Sequence, residues 1–86
     1  MESRQNQPGR NAKDRHYLKQ IGENVKVARK KIGYSQEEVA EIAGFSRSYY
    51  TEIETGKRNI SILNLIKIIE ALKVAPNEII GSLKPK

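Results

Sequence analysis

The chain contains no cysteine and no tryptophan, and only one histidine, one methionine and one phenylalanine. Without cysteine, neither a disulfide nor a thiolate metal site can hold the fold. With His16 as the only imidazole, the common zinc constellations, which need two or three strong ligands, are excluded. No apolar run approaches the length of a membrane span, and the polar start M-E-S-R-Q-N-Q lacks a signal-peptide core. A soluble cytoplasmic protein with no membrane partner is expected. There is no glycine-rich phosphate loop and no nucleophile beside a matched base, so no enzyme, cofactor or metal is expected. His16 reads as a surface residue of the first helix, and a pH switch there is the lesser reading.

What is present is charge and helical pattern. Sixteen Lys and Arg against ten Asp and Glu give a net charge of +6 and a pI near 9.7. Such a balance favours a polyanionic partner, because neutralised phosphates release counterions. A lysine-rich solvated helix surface would give the same count, so charge needs a second signal. Eighty-six residues with 37% hydrophobic content make one small domain with no room for a deep cleft.

Residues 1–13 hold almost nothing apolar and read as a basic arm. Arg4 and Arg10 could enter a minor groove, although a solubilising tail explains them as well. Residues 14–86 form the domain. Leu18, Ile21, Val25 and Ala28 mark a first helix from Asp14, as N-cap, to Lys31, with Gly33 as its stop. Ser35 and Glu38 make a capping-box pattern for a second helix ending at Gly44. Ser46 caps a third, stopping at Gly56. Ser61 caps a fourth from Ile62 to about Lys73, and Pro76 opens a last one reaching Leu83. Nothing alternates with period two, so the fold is expected to be all-α, a compact domain of five helices.

Between Ser35 and Glu54 the second and third helices meet at a glycine-centred corner. Ala40 is small where the helices approach, Gly44 supplies positive φ, and Val39, Ala43, Phe45, Tyr50 and Ile53 face a core. This is the helix-turn-helix spacing, which presents its second helix to the DNA major groove. At 100° per residue, Tyr50 and Ile53 point inward with Glu54 beside them. Ser48, Thr51, Glu52 and Thr55 point out, and Arg47 and Tyr49 flank them. Arg47, Ser48 and Thr51 are the candidate base readers, Arg47 through its fork onto guanine. Tyr49 suits a phosphate, as do Gln36 and the loop Lys57, Arg58 and Asn59. Glu52 repels phosphate, so it must accept from a cytosine amino group, pair with a neighbour or sit clear of DNA. A polar outer face on any helical bundle would look similar; the turn spacing and basic loop argue against that.

Residues from about Ile21 to Ile80 resemble the phage-repressor and Cro-type helix-turn-helix regulators. The resemblance is carried by V-A-R-K-K-I-G-Y-S-Q at 27–36, A-G-F-S at 43–46, I-E-T-G-K at 53–57 and I-E-A-L-K-V at 69–74. It implies a backbone anchor at Gln36, base reading at Arg47, Ser48 and Thr51, and an internal ion pair between Arg29 and Glu54. Tyr50 departs from the family's usual Ile or Val. A narrower resemblance, in R-S-Y-Y-T-E-I-E-T-G-K-R-N-I-S at 47–61, is to the controller proteins of restriction–modification systems.

On the fourth helix, Ile62, Leu65, Ile66, Ile68, Ile69 and Leu72 spread wider than the ~100° stripe a surface helix needs. Leu65, Ile68 and Leu72 are expected to cover the first and third helices. Ile62, Ile66 and Ile69 are then left for a thickly packed small core or for a second copy; the family resemblance implies a two-fold interface there, with Ile79, Ile80 and Leu83 contributing. The expectation is a homodimer on an inverted-repeat operator in double-stranded DNA, with the helix over 46–55 in the groove. RNA polymerase would be a partner only of an activator. The alternative is an antitoxin-like protein-interaction module that binds DNA secondarily; it would favour large apolar anchors on the third helix.

Overall fold

In the computed structural model, which describes residues 11–85, five helices follow one another: α1 (Ala12–Ile32), α2 (Gln36–Ala43), α3 (Arg47–Glu54), α4 (Ile62–Leu72) and α5 (Pro76–Ile80). The described residues contain no strand. None of these helices is long and apolar enough to cross a membrane.

Side-chain caps set most of the boundaries. Ser35 and Glu38 close the reciprocal capping box, and the Ser46 and Ser61 hydroxyls accept from the Tyr49 and Asn64 N–H groups. The first helix starts earlier than the pattern suggests. Asn11, not Asp14, is the cap; its side-chain oxygen accepts the Asp14 N–H at 2.8 Å. Asp14 instead lends its charge to the positive end of the helix dipole. Of the expected arm, residues 11–13 therefore belong to the start of α1, and residues 1–10, with Arg4 and Arg10, lie outside the described residues. At the helix-turn-helix corner Gly44 has φ 84°, and its N–H closes onto Ala40 and Glu41 carbonyls.

The chain leaves α5 at Ile80, short of the expected Leu83, because α1 offers it other partners. Gln20 exchanges two hydrogen bonds with the Lys84 backbone, at 2.7 and 2.9 Å. One turn away on either side, Asn24 donates to the Ile79 carbonyl at 2.7 Å and His16 Nε2 lies 3.0 Å from that of Lys84. Polar side chains at helical spacing thus strap residues 79–84 along α1. His16 is half-buried here, with its ring edge-on to Tyr17 at 5.6 Å.

Val25, Val39, Tyr50, Ile68, Leu72 and Ile79 are fully buried at the centre. α1 packs on α3 and α5, while α4 lies chiefly along α2. The expectation that α4 mainly covers the first and third helices is corrected accordingly. Two expected interface residues also belong inside: Ile79 is wholly buried and Ile69 nearly so. Because α5 closes over α1 and α4, the apolar excess on α4 is divided between core and surface. Where α1 meets the end of α3, Gly22 is required. A Cβ there would stand 2.4 Å from the Ile53 carbonyl oxygen and 2.5 Å from that of Glu54, so the two backbones touch directly.

Candidate nucleic-acid interface

On α3, Tyr50, Ile53 and Glu54 are buried, while Arg47, Ser48 and Thr55 are exposed and Tyr49, Thr51 and Glu52 half-buried. The face read from the sequence is the face the helix presents. Arg47 and Ser48 stand at its N-terminal end, which is the part of such a helix that reaches base edges. Thr51 is more constrained. Its hydroxyl donates to Gln36 Oε1 at a long 3.4 Å, which leaves the oxygen lone pairs free to accept.

Gln36 is held from the other side as well, since its amide nitrogen donates to Glu54 Oε1 at 2.9 Å. One amide hydrogen remains for a phosphate. The resemblance implied a DNA anchor at Gln36; the structure adds that Gln36 is also a strut between α2 and α3.

Beneath the reading face, Glu54 accepts four hydrogen bonds. Arg29 Nε donates to Oε2 at 2.7 Å and Arg29 Nη2 to Oε1 at 3.2 Å. The Tyr50 hydroxyl donates to Oε2 at 2.5 Å, and Gln36 supplies the fourth bond. Arg29 Nη1 continues to the Tyr34 carbonyl at 2.9 Å. Burial pushes the Glu54 carboxyl upward, but the bonds from Arg29, Tyr50 and Gln36 and the Arg29 charge outweigh it and hold the carboxyl below its ordinary range. Arg29 is raised by its bond to Glu54, against desolvation. Burial and then the bond to Glu54 push the Tyr50 phenol far above its ordinary value, so it stays a donor. The tyrosine that departs from the family pattern is thus a working member of the ion pair. Nothing in the periodicity of α3 signalled this; the signal is that Tyr50 and Glu54 are four apart on one helix.

After Gly56 (φ 76°) the loop carries Lys57, Arg58 and Asn59, all exposed. Lys57 is fixed through its N–H to the Glu52 carbonyl at 2.8 Å. Arg58 folds back onto α3, with its Nε 2.7 Å from Glu52 Oε1 and its guanidinium carbon 5.1 Å from the Tyr49 ring centre. Tyr49 is braced by an edge contact to Phe45 at 5.0 Å and by Asn64, which donates to its hydroxyl at 3.0 Å. The hydroxyl keeps its own hydrogen for a phosphate. Sequence reasoning missed Asn64, and it allowed Glu52 a neighbouring partner without identifying it as Arg58.

The candidate dimer residues divide. Ile62, Ile66 and Ile80 are exposed and line a groove of 440 Å³ between α4 and α5, with Leu65 and Ile69 showing only their edges. Leu63, not foreseen, is 67% exposed beside it. Leu83 is half-buried and is not among the groove's lining residues.

The helix-turn-helix family model matches residues 25–79, more than half of the chain. The control protein C.MunI of a Mycoplasma species is 38% identical over 65 residues, covering 74% of this chain and 88% of that one. Among solved structures, the restriction-modification controller protein C.AhdI of Aeromonas hydrophila superposes with a TM-score of 0.70 at 37% identity, covering 72% of this chain and 94% of that one. The controller protein C.Esp1396I, solved as a tetramer in complex with its natural 35 base-pair operator, superposes with a TM-score of 0.70 at 28% identity, covering 76% and 86%.

Proposed function

The chain belongs to the helix-turn-helix family, and from that premise we propose that it is a transcriptional regulator that binds an inverted-repeat operator as a homodimer, with α3 in the major groove. The observation that carries this is the pairing of an exposed polar reading face on α3 with the basic loop behind it. Arg47, Ser48 and Thr51 read bases, and Gln36, Tyr49, Lys57, Arg58 and Asn59 grip the backbone. The likeness to C.MunI, C.AhdI and C.Esp1396I supports a controller role in a restriction–modification operon, with the protein acting on its own promoter. An antitoxin-like module is not favoured, because the exposed face of α3 offers no large apolar anchor.

The homodimer is supported by the apolar groove that α4 and α5 leave open around Ile62, Ile66 and Ile80. One short helix reads few base pairs, whereas two set one DNA turn apart, about 34–36 Å, read a palindrome. Substituting Ile62 and Ile66 together by Asp should give a monomer in sedimentation and a much weakened operator complex.

Selection of bound duplexes from a random pool tests the reading as a whole. Two half-sites of inverted symmetry are expected, with affinity falling steeply as salt rises. Arg47→Ala should then cost about 1–3 kcal/mol and relax one position per half-site, while Lys57→Ala weakens all sequences alike. A pool that emerges without enrichment would overturn the operator reading.

A further inference from the structure

Glu52 is the residue that the groove-reading assignment leaves over: a carboxylate on the face of α3 that meets a polyanion. Its surroundings give it a task. Its Oε1 takes the Nε of Arg58 at 2.7 Å, and the Arg58 guanidinium lies over the ring of Tyr49, three residues before Glu52 on the same helix. The ring is a fixed platform, because Phe45 braces its edge and Asn64 bonds its hydroxyl. Both charged side chains are open to solvent, 42% exposed for Glu52 and 51% for Arg58. A pair so exposed is easily parted and contributes little to the fold.

We propose that Glu52 is a specificity-determining residue, one that withholds Arg58 from phosphates until the bases under α3 can replace it. While the pair is closed, the arginine charge is cancelled at contact distance, so this flank of α3 attracts DNA weakly whatever its sequence. When α3 seats, Arg58 can pass from the carboxylate to a phosphate. That exchange leaves Glu52 charged beside the duplex, and a cytosine N4 amino group is the base-edge donor that a carboxylate accepts. Where the sequence offers that donor, both groups are satisfied. Where it does not, the exchange strands a carboxylate near phosphates, and Arg58 stays on Tyr49. Phosphate contacts as such carry no sequence information; Glu52 gives one of them a condition.

This rests on the operator reading above, and its test separates the two. Wild type, Glu52→Gln, Arg58→Ala and the double variant are titrated with a random-sequence duplex and with the duplex selected by wild type, over a range of salt. Glu52→Gln keeps the side chain's shape and removes its charge. It should bind random DNA about three- to tenfold more tightly, with a salt slope steeper by about 0.9, the signature of one added phosphate contact. It should also lose preference at one position per half-site in a repeated selection. In the Arg58→Ala background the same change should leave the salt slope unchanged, and its gain in random binding should be smaller, since only the repulsion of the bare carboxylate is then relieved. If the gain and the steeper slope are as large without Arg58, Glu52 merely repels phosphate and the proposal fails. It fails equally if Glu52→Gln leaves random binding and its salt slope unchanged. Failure of wild type to select any sequence would instead overturn the operator reading itself.

Discussion

Glu52 and Glu54 stand two residues apart on α3, and each is paired with an arginine at 2.7 Å, yet the two pairs belong to different kinds of chemistry. The Arg29–Glu54 pair has side chains only 11% and 2% exposed, and the carboxylate accepts from three different residues. The Arg58–Glu52 pair is half open to water and rests on an aromatic face. Equal distance does not mean equal energy. Desolvation makes the first pair costly to break from one side, and solvent screening makes the second cheap to exchange. The inner pair fixes how α3 lies against α1 and α2; the outer one stays adjustable on the exposed side of α3.

The largest effect should come from leaving one inner charge alone. Glu54→Ala strands Arg29, and Arg29→Ala strands Glu54, at a cost of about 3–5 kcal/mol each. For a domain this small either loss approaches the whole stability, and thermal melts should show partial or complete unfolding at 25 °C. Melts like that of wild type would erase the contrast between the two pairs. Next comes Gly22→Ala. The new methyl would meet the Ile53 and Glu54 carbonyls at 2.4 and 2.5 Å, which are backbone atoms unable to swing aside. We expect a loss of about 1–3 kcal/mol together with weaker DNA binding, because α3 is pushed off α1.

Tyr50→Phe removes one donor from a charged acceptor while preserving the ring, so about 1.5–3 kcal/mol should be lost. Acid probes the same cluster. A carboxyl held below its ordinary range stabilises the fold fully above its unfolded pKa, near 4.3. That contribution is lost as pH falls through this value toward the lower folded one. The stability gap between wild type and Glu54→Gln should therefore be constant near neutrality and narrow below about pH 4. A gap that stayed constant to pH 2 would mean that Glu54 is not the titrating group.

These two regions were not equally legible. The helices followed from caps and glycines, because Ser35, Ser46, Ser61 and Gly44 act on their immediate neighbours. The exposed face of α3 followed from 100° geometry alone. What escaped depends on contacts made across the fold. Gly22 carries no sequence signal of its own, and only the approach of α3 explains it. The end of α5 was overestimated because Gln20 and Asn24, some sixty positions away in the chain, capture the backbone there. Ile69 lay on the outer stripe of the α4 wheel and Ile79 was counted with the interface, yet both are core, since a wheel does not show which neighbour covers a stripe. Which neighbour Glu52 takes was not legible, because Arg58 returns to it only after the loop has turned at Gly56.

The smallest expected effect is the one that makes the comparison quantitative. A double-mutant cycle isolates the coupling between two residues from what each does elsewhere. For Glu52→Gln and Arg58→Ala the coupling measured by melting should not exceed about 1 kcal/mol, because both side chains regain water when parted. For Arg29 and Glu54 the same cycle should give a coupling of several kcal/mol, since removing the second partner relieves the charge stranded by the first. A Glu52–Arg58 coupling as large as the inner one would make the outer pair a brace of the fold, too strongly held to release Arg58 to a phosphate. A coupling near zero in stability, combined with a clear coupling in binding to random DNA, is the pattern expected of a pair maintained for recognition.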